Sequence, residues 1–357
     1  MAVSVRAGCR PYRVAAYFLA GLAIVDILVA RQSSLWEQYD PDDYAARVAN
    51  CRRSPHDLVV IGGSPVSEGI DPAVLAGLQW QGRPLNYAFN LGLPGGTTTE
   101  FWHAVHHGLS APPRLIVYGI TASDLNDGRQ EPHGARVLID LSDLLGWVRL
   151  KPSSAEWAIR HYTNARLAGL WQLYRYRNAL RLWAAEQAEA IRPGCCSESA
   201  AEARDNRVYA ADLARGDGFA PNRSFLTRRL DLLKADGWRC DRFQFLEKYR
   251  VGEHLRYLHR LLEWADEHRV AVVLADMPVS ADLETGQYAE AFAMYRHALA
   301  EVERARRVRV IRGTRAAVGL GDEHFADLIH MNAAGTARFS RWIREQLEAS
   351  PTSLTSR

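Results

Sequence analysis

Asp57-Leu58-Val59-Val60-Ile61-Gly62-Gly63-Ser64-Pro65 is the stretch on which the fold turns. The run Asp57–Ile61 is short, apolar and β-branched without polar alternation, as a strand buried on both faces requires. It ends at two glycines, and small residues there let the chain turn sharply and present the Ser64 hydroxyl at the strand's end. Similar runs follow at Pro84–Phe89, Arg114–Tyr118, Val270–Ala275 and Val308–Ile311. Helical segments lie between and after them at Pro72–Leu78, Thr97–Gly108, Glu253–Glu267, Gln287–Arg304 and Ala333–Glu348. Five strands alternating with helices predict an α/β fold, a parallel sheet with helices on both faces. Active sites in such sheets lie at the carboxyl ends of the strands. The Gly-Gly-Ser turn lacks the Gly-Lys-Ser/Thr ending of a P-loop, the glycine spacing of a dinucleotide fold and the G-x-S-x-G of a nucleophile elbow.

The alternation breaks once. About 150 residues separate the third strand from the fourth, far more than a strand–helix connection needs. Leu138–Leu150 and Ala155–Ile191 read as helices, the second carrying Trp157, Tyr162, Trp171, Tyr174, Tyr176 and Trp183, whereas Asn206–Asn222 reads as loop. The aromatic stripe predicts a helical cap packed on the sheet, with a lid or membrane-facing surface as the alternative.

The other chemistry-bearing stretch is Asp327-Leu328-Ile329-His330-Met331-Asn332-Ala333-Ala334-Gly335. A carboxylate three residues before a histidine, on a loop entering a helix, can hold the imidazole at Nδ1 and leave Nε2 free, which is what a general base for a serine needs. Asn332 is placed to cap the helix that follows.

Taken together, these two stretches resemble the SGNH/GDSL hydrolase superfamily. That resemblance implies a three-layer α/β/α sandwich around a five-stranded parallel sheet, here with a large helical insertion. In it Gly62-Gly63-Ser64 matches the first block and makes Ser64 the implied nucleophile; Asp327 and His330 match the last block and complete a triad. Asn90-Leu91-Gly92-Leu93-Pro94-Gly95-Gly96-Thr97 looks like the glycine block, with Gly95 the implied oxyanion donor. The third block departs: where the family has Gly-x-Asn-Asp, this chain reads Tyr118-Gly119-Ile120-Thr121-Ala122-Ser123-Asp124-Leu125-Asn126-Asp127. Thr121, Ser123 or Asn126 is the substitute donor this implies, and losing one oxyanion donor costs about 10²–10³ in rate. The variant block, the N-terminal anchor read below and Ala275-Asp276-Met277-Pro278-Val279-Ser280 together look like a divergent, membrane-anchored branch serving cell-envelope polymer acylation, related to alginate acetylation proteins. The resemblance implies a carboxyl ester hydrolase or O-acyltransferase acting on an acylated polysaccharide or other ester, without cofactor or metal. The alternative is a non-catalytic envelope protein that binds glycan, or a membrane acyltransferase, through the aromatic segment.

The N-terminus sets the compartment. Arg6, Arg10 and Arg13 precede Val14–Ala30, which is apolar but for Asp26 near its outer end. Seventeen residues is near the shortest length that spans a bilayer core of roughly 30 Å. The flanking arginines predict a single-pass cell-membrane protein with a cytoplasmic N-terminus, an extracytoplasmic body, and Trp36 and Tyr39 near the outer interface. A cleaved signal peptide and a buried helix are the rival readings. The expected organisation is residues 1–31 as cytoplasmic N-terminus and anchor, 32–56 as stem, 57–349 as the SGNH-like domain with a helical cap insertion at about 125–252, and 350–357 as a disordered tail.

The 357 residues carry 44 basic and 41 acidic side chains, a net charge of +3 that offers nucleic acid no basic stripe. Of five cysteines, Cys9 falls inside the anchor boundary, and a bridge from Cys240 to Cys195 or Cys196 is open to the four outside it. No cysteine–histidine ligand spacing suggests zinc. His103, His106, His107 and His324 read as surface or packing residues, the last able to line the pocket mouth. Arg129, Arg136 and Arg223 could meet an anionic polymer.

Overall fold

A computed structural model describes residues 10–41, 43–128, 141–150, 155–240, 242–306 and 308–349. Cys9, Arg129, Arg136 and the tail 350–357 lie outside the described residues. The chain forms two compact units, one made of Asp43–Ala158 with Asp212–Arg357, the other of Met1–Asp42 with Ile159–Ala211.

The first unit is mixed α/β. Its strands are β1 (Leu58–Gly62), β2 (Leu78–Trp80), β3 (Arg83–Leu85), β4 (Ala88–Gly92), β5 (Leu115–Ile120), β6 (Ala271–Asp276) and β7 (Arg309–Arg312). Five of them form a sheet in the order β4-β1-β5-β6-β7 with every neighbouring pair parallel, and β2 and β3 form a separate antiparallel ribbon. β1 and β5 are buried at every residue, so both faces of the sheet's centre are covered, as their unbroken apolar runs demand. The chain leaves β1 to one side to build β4 and returns to its other side to build β5. Strand order therefore reverses at β1, and ligands of such sheets bind beyond the carboxyl ends at that reversal.

Two expectations shift. Pro84–Phe89 is not one strand: Pro84, lacking an N–H, sits in the ribbon opposite Gln79, and the parallel strand begins at Ala88. Asp57 makes the corner, its carboxylate accepting from the N–H groups of Asn86 (2.9 Å) and Tyr87 (3.3 Å). The second half of the expected stem is part of this unit, because Asp43–Arg52 is a helix burying Tyr44, Arg47, Val48 and Cys51 at helical spacing. The Arg47 guanidinium donates to the Gly218 carbonyl, and the Asn50 amide donates to the Leu213 carbonyl at 2.7 Å.

The second unit is helical. It contains Arg10–Arg31, Ser33–Tyr39, most of Ala155–Leu170, Gln172–Arg175, Arg177–Ile191 and most of Ser197–Leu213. Its core joins Val29, Trp36 and Tyr39 to Tyr176, Ala179, Leu182 and Ala203. Trp36 meets Trp183 edge to face, and the Tyr39 hydroxyl donates to Glu186 at 2.7 Å. The aromatic stripe's Tyr176 and Trp183 are thus spent on the N-terminal helices, where a cap on the sheet was expected. The expected single helix Ala155–Ile191 is broken at Trp171 and Tyr176. Its new first turn is stabilised from outside, by Asp26 accepting from the Leu173 N–H at 2.7 Å. The expected loop from Asn206 is helical to Leu213, since Ala203 is core and the Asn206 amide donates to the Tyr39 carbonyl at 2.7 Å. Tyr12–Arg31 is long and apolar enough to cross a membrane, and only 6% of it is buried, which sets it apart from a core helix.

No disulfide joins the described cysteines: Cys51, Cys195, Cys196 and Cys240 are free thiols, and Cys51 is buried.

Candidate active site

The turn after β1 begins with Gly62, whose φ of 150° disfavours any side chain. A Cβ there would also strike the Val66 side chain and the Gly119 carbonyl. Gly119 is its register partner on β5, and a Cβ on Gly119 would strike Val66 and the Met277 sulfur. This glycine pair makes room for Val66, and so lets the helix Ser64–Gly69 lie directly on the strand ends with Ser64 as its first residue and Pro65 as its second. Asn90 on β4 locks that short helix, its amide donating to the carbonyls of Val66 (2.9 Å) and Ile70 (2.7 Å) while its oxygen accepts from the Gly92 N–H.

The base arrives from the other end of the chain. Phe325 and Met331 form an antiparallel bridge, with the Ala326 N–H donating to the His330 carbonyl (2.8 Å) and the Asn332 N–H to the His324 carbonyl (3.0 Å). The loop so closed displays Asp327 and His330, and the Ser280 N–H ties its tip down through the Leu328 carbonyl at 2.8 Å. Asn332 caps the helix Ala333–Glu348 as expected, accepting from the N–H groups of Ala334 and Gly335. Its amide also donates to the carbonyls of Arg228 (3.1 Å) and Glu323 (2.8 Å).

Ser64 Oγ lies 2.8 Å from His330 Nε2, and His330 Nδ1 lies 2.8 Å from Asp327 Oδ2. The other Asp327 oxygen accepts from the Ile329 and His330 N–H groups, each at 2.9 Å. A carboxylate can only accept, so the neutral imidazole carries its proton on Nδ1 and offers the bare Nε2 to the serine hydroxyl. Burial acts on both groups most strongly, favouring their neutral forms. It is outweighed by their mutual hydrogen bond and charge, aided by the two N–H groups on Asp327 and the charge of Glu68 on His330. Asp327 is held below its ordinary value and His330 above 6.5.

Three expected donors of the third and glycine blocks fall at the same sheet edge. Leu93-Pro94-Gly95-Gly96 is a turn with proline second and Gly95 third at φ 74°, closed by the Gly96 N–H donating to the Leu93 carbonyl at 2.9 Å. The Leu93 N–H donates to the Gly62 carbonyl at 2.7 Å, and the Gly96 carbonyl reaches the flank of Gly63. Thr121 follows β5 as Ser64 follows β1, each two residues past the paired Gly119 and Gly62. The hydroxyls of Thr121 and Ser123 share a hydrogen bond of 2.8 Å, and Asp124 accepts from the Thr121 N–H at 2.8 Å. Asn126 is used differently. It is fully buried, donates to the carbonyls of Phe245 and Glu247, and accepts from the N–H groups of Gly128 and Arg250. Both its donors and its acceptor are spent on bracing the returning chain, which leaves nothing for a substrate.

Phe225 is the residue that motif reading could not find. It stacks on the His330 ring, centroids 4.7 Å apart and planes at 24°, from the helix Arg223–Thr227 within the insertion. A lone aromatic after a polar stretch carries no motif. Among the residues read as bystanders, His103 is buried, His106 stacks on Trp102, and His324 accepts from the Gly321 N–H in its own turn. The side chain of His107 lies outside the described set. Arg223 pairs with Asp212 at 3.3 Å. A cavity of about 570 Å³ opens between the helices Thr98–Gly108 and Glu253–His268, lined by Trp102, Arg260 and Trp264 and by no member of the triad. Among the described residues no group of three or more His, Cys, Asp or Glu side chains is arranged to hold a metal ion.

No protein-family model and no curated protein sequence matches this chain.

Proposed function

We propose that the protein is a membrane-anchored, extracytoplasmic SGNH-type enzyme, a serine ester hydrolase or O-acyltransferase acting on an acylated cell-envelope glycan. The observation that carries the reading is the pair of 2.8 Å hydrogen bonds linking Ser64, His330 and Asp327, a serine and histidine 266 residues apart in sequence. In the reaction, His330 Nε2 takes the Ser64 proton as Oγ attacks the ester carbonyl, and Asp327 stabilises the imidazolium. In this reading the backbone N–H groups of Ser64 and Gly95 are the oxyanion donors, with the Thr121–Ser123 hydroxyl pair as the third donor in place of the sequestered Asn126. Collapse of the tetrahedral intermediate expels the alkoxide, which takes the proton from His330 and leaves an acyl-Ser64. Water then releases a carboxylic acid, or a sugar hydroxyl takes the acyl group; in each case His330 removes the acceptor's proton and returns it to Oγ.

The test uses a fluorophosphonate probe and p-nitrophenyl acetate on the purified full-length protein. Labelling and turnover are expected in the natural chain and absent in Ser64→Ala. Equal labelling in both removes Ser64 from the role. The third block's lost asparagine motivates a non-catalytic reading as well, in which the protein holds glycan or a membrane acyltransferase. That reading predicts a cellular phenotype unchanged by Ser64→Ala and His330→Ala.

A further inference from the structure

We infer that the protein contacts its membrane twice: besides the N-terminal span, the segment Ile159–Trp171 lies in the outer leaflet, its apolar side against lipid acyl chains. The inference rests on the reading of Arg10–Arg31 as the anchor.

The first observation is a depth ladder within the helical unit. Asp26 accepts from the Leu173 N–H at 2.7 Å, Trp36 meets Trp183, and Tyr39 donates to Glu186. Along this series the helix Arg177–Ile191 climbs in step with the N-terminal chain, and Gln172–Arg175 stands at its low end beside Asp26. Asp26 lies five residues before Arg31, the last residue of the apolar stretch, so about 7.5 Å below its outer end. That is within the roughly 5–10 Å to which interfacial helices sink. The tie between Leu173 and Asp26 sets the depth of Trp171 and Leu170, two and three residues before it.

The second observation is what those residues present. Ile159, Leu167, Leu170 and Trp171 are 52%, 49%, 81% and 49% exposed, at spacings that put them on one stripe of the helix Ala155–Leu170 and its end. Ile27 and Leu28 of the span, next to Asp26, are more than half exposed as well, so apolar surface is open on both sides of the Asp26–Leu173 tie. A soluble protein rarely leaves Leu and Trp so bare together. The polar groups around the stripe suit headgroups: Arg160 and Arg166 are exposed, the Arg166 guanidinium lies 5.0 Å over the Tyr162 ring, and Arg177 lies 4.3 Å over Tyr174, itself stacked on Trp171. Tyr and Trp flanked by arginines, level with the edge of a span, are the composition of an interfacial belt. Asp26 in turn has a reason to sit in the apolar run: it supplies the missing acceptor for the first turn of Gln172–Arg175.

The experiment places a fluorescent NBD label at single cysteines in the full chain, with its own five cysteines replaced, in phosphatidylcholine/phosphatidylglycerol vesicles. Label sites are Leu170→Cys, Trp171→Cys, Leu19→Cys in the span and Ile191→Cys at the far end of the ladder. Circular dichroism confirms the helical content of each variant, and the two neighbouring sites guard against one that fails to fold. The expected result is quenching at 170 and 171 by lipids carrying a shallow nitroxide, at least about fivefold stronger than at 191, with protection from aqueous iodide. Iodide quenching at 170 and 171 equal to that at 191 overturns the inference. Protection from both quenchers overturns it too, because protein and not lipid then covers the stripe. If Leu19→Cys escapes quenching by lipids carrying a nitroxide deep in the acyl chain, the anchor reading itself fails, and the inference with it.

Discussion

His330 is fixed on three sides, by the Asp327 carboxylate at Nδ1, the Phe225 ring on its face and Ser64 at Nε2. Because Asp327 holds the imidazole's pKa above 6.5, the unprotonated base is available only at higher pH. The acid limb of kcat/KM for p-nitrophenyl acetate should therefore lie above pH 6.5. In Asp327→Asn the limb should move down, while kcat falls by up to about 10⁴ because the tautomer is lost. The same pair links stability to pH with opposite signs. The histidine's contribution is complete below its ordinary value and is lost as the pH rises through its raised one. The aspartate's is complete above its ordinary value and is lost as the pH falls through its lowered one. Asp276, at the end of β6, is a second carboxylate to watch: burial pushes it up to about 6 despite the Tyr295 hydroxyl donating to it at 2.7 Å. Keeping it ionised above that pH opposes folding. Asp276→Asn should accordingly raise stability at pH 8 by about 1–3 kcal/mol, by less at pH 4.5 and not at all near pH 3, below the ordinary carboxylate value, read by denaturant unfolding at each pH.

At the scale of elements, two devices hold Ser64 and His330 in register. The helix Ser64–Gly69 has six residues and reaches the strand ends only through the space left at Gly62 and Gly119. Gly119→Ala, distant in sequence from any triad member, should lower kcat by displacing Val66, with Ser64 labelling by the fluorophosphonate falling in parallel. Asn332 combines a helix cap with two donations to buried carbonyls; Asn332→Ala should cost about 2–4 kcal/mol in urea unfolding, above the range of a cap alone. The apolar runs at β1, β5 and β6 and the Asp-x-x-His loop were readable because each is a local pattern with one physical solution. Pro84–Phe89 misled because a corner inside an apolar run leaves no change of polarity. Asn126 misled because an amide at a strand end can face a substrate or a returning backbone, and the partners that decided it, Phe245, Glu247 and Arg250, lie more than a hundred residues away.

At the scale of the whole molecule, the long insertion is shared between two units. Ile159–Ala211 joins the N-terminal helices, and the part from Asp212 onward belongs to the sheet-bearing unit. There it is stitched to the Asp327–His330 loop by the Leu230 N–H donating to the Phe325 carbonyl at 2.8 Å and by Asn332 holding Arg228. No periodicity announces such a division, since helices of either destination show the same amphipathic spacing. With the described thiols free, the Tm in a calorimeter should be the same with and without reductant, where a structural bridge would make it fall.

The 266 residues between Ser64 and His330 also order events in time. A chain emerging N-terminus first exposes its serine 266 residues before its imidazole, so the couple cannot exist until the loop Asp327–His330 has been made. Every truncated or stalled product carries a hydroxyl with no base beside it. The pair forms only when the helix Ala333–Glu348 packs on the helix Ser64–Gly69, where the Thr336 hydroxyl donates to the Glu68 carbonyl at 3.0 Å.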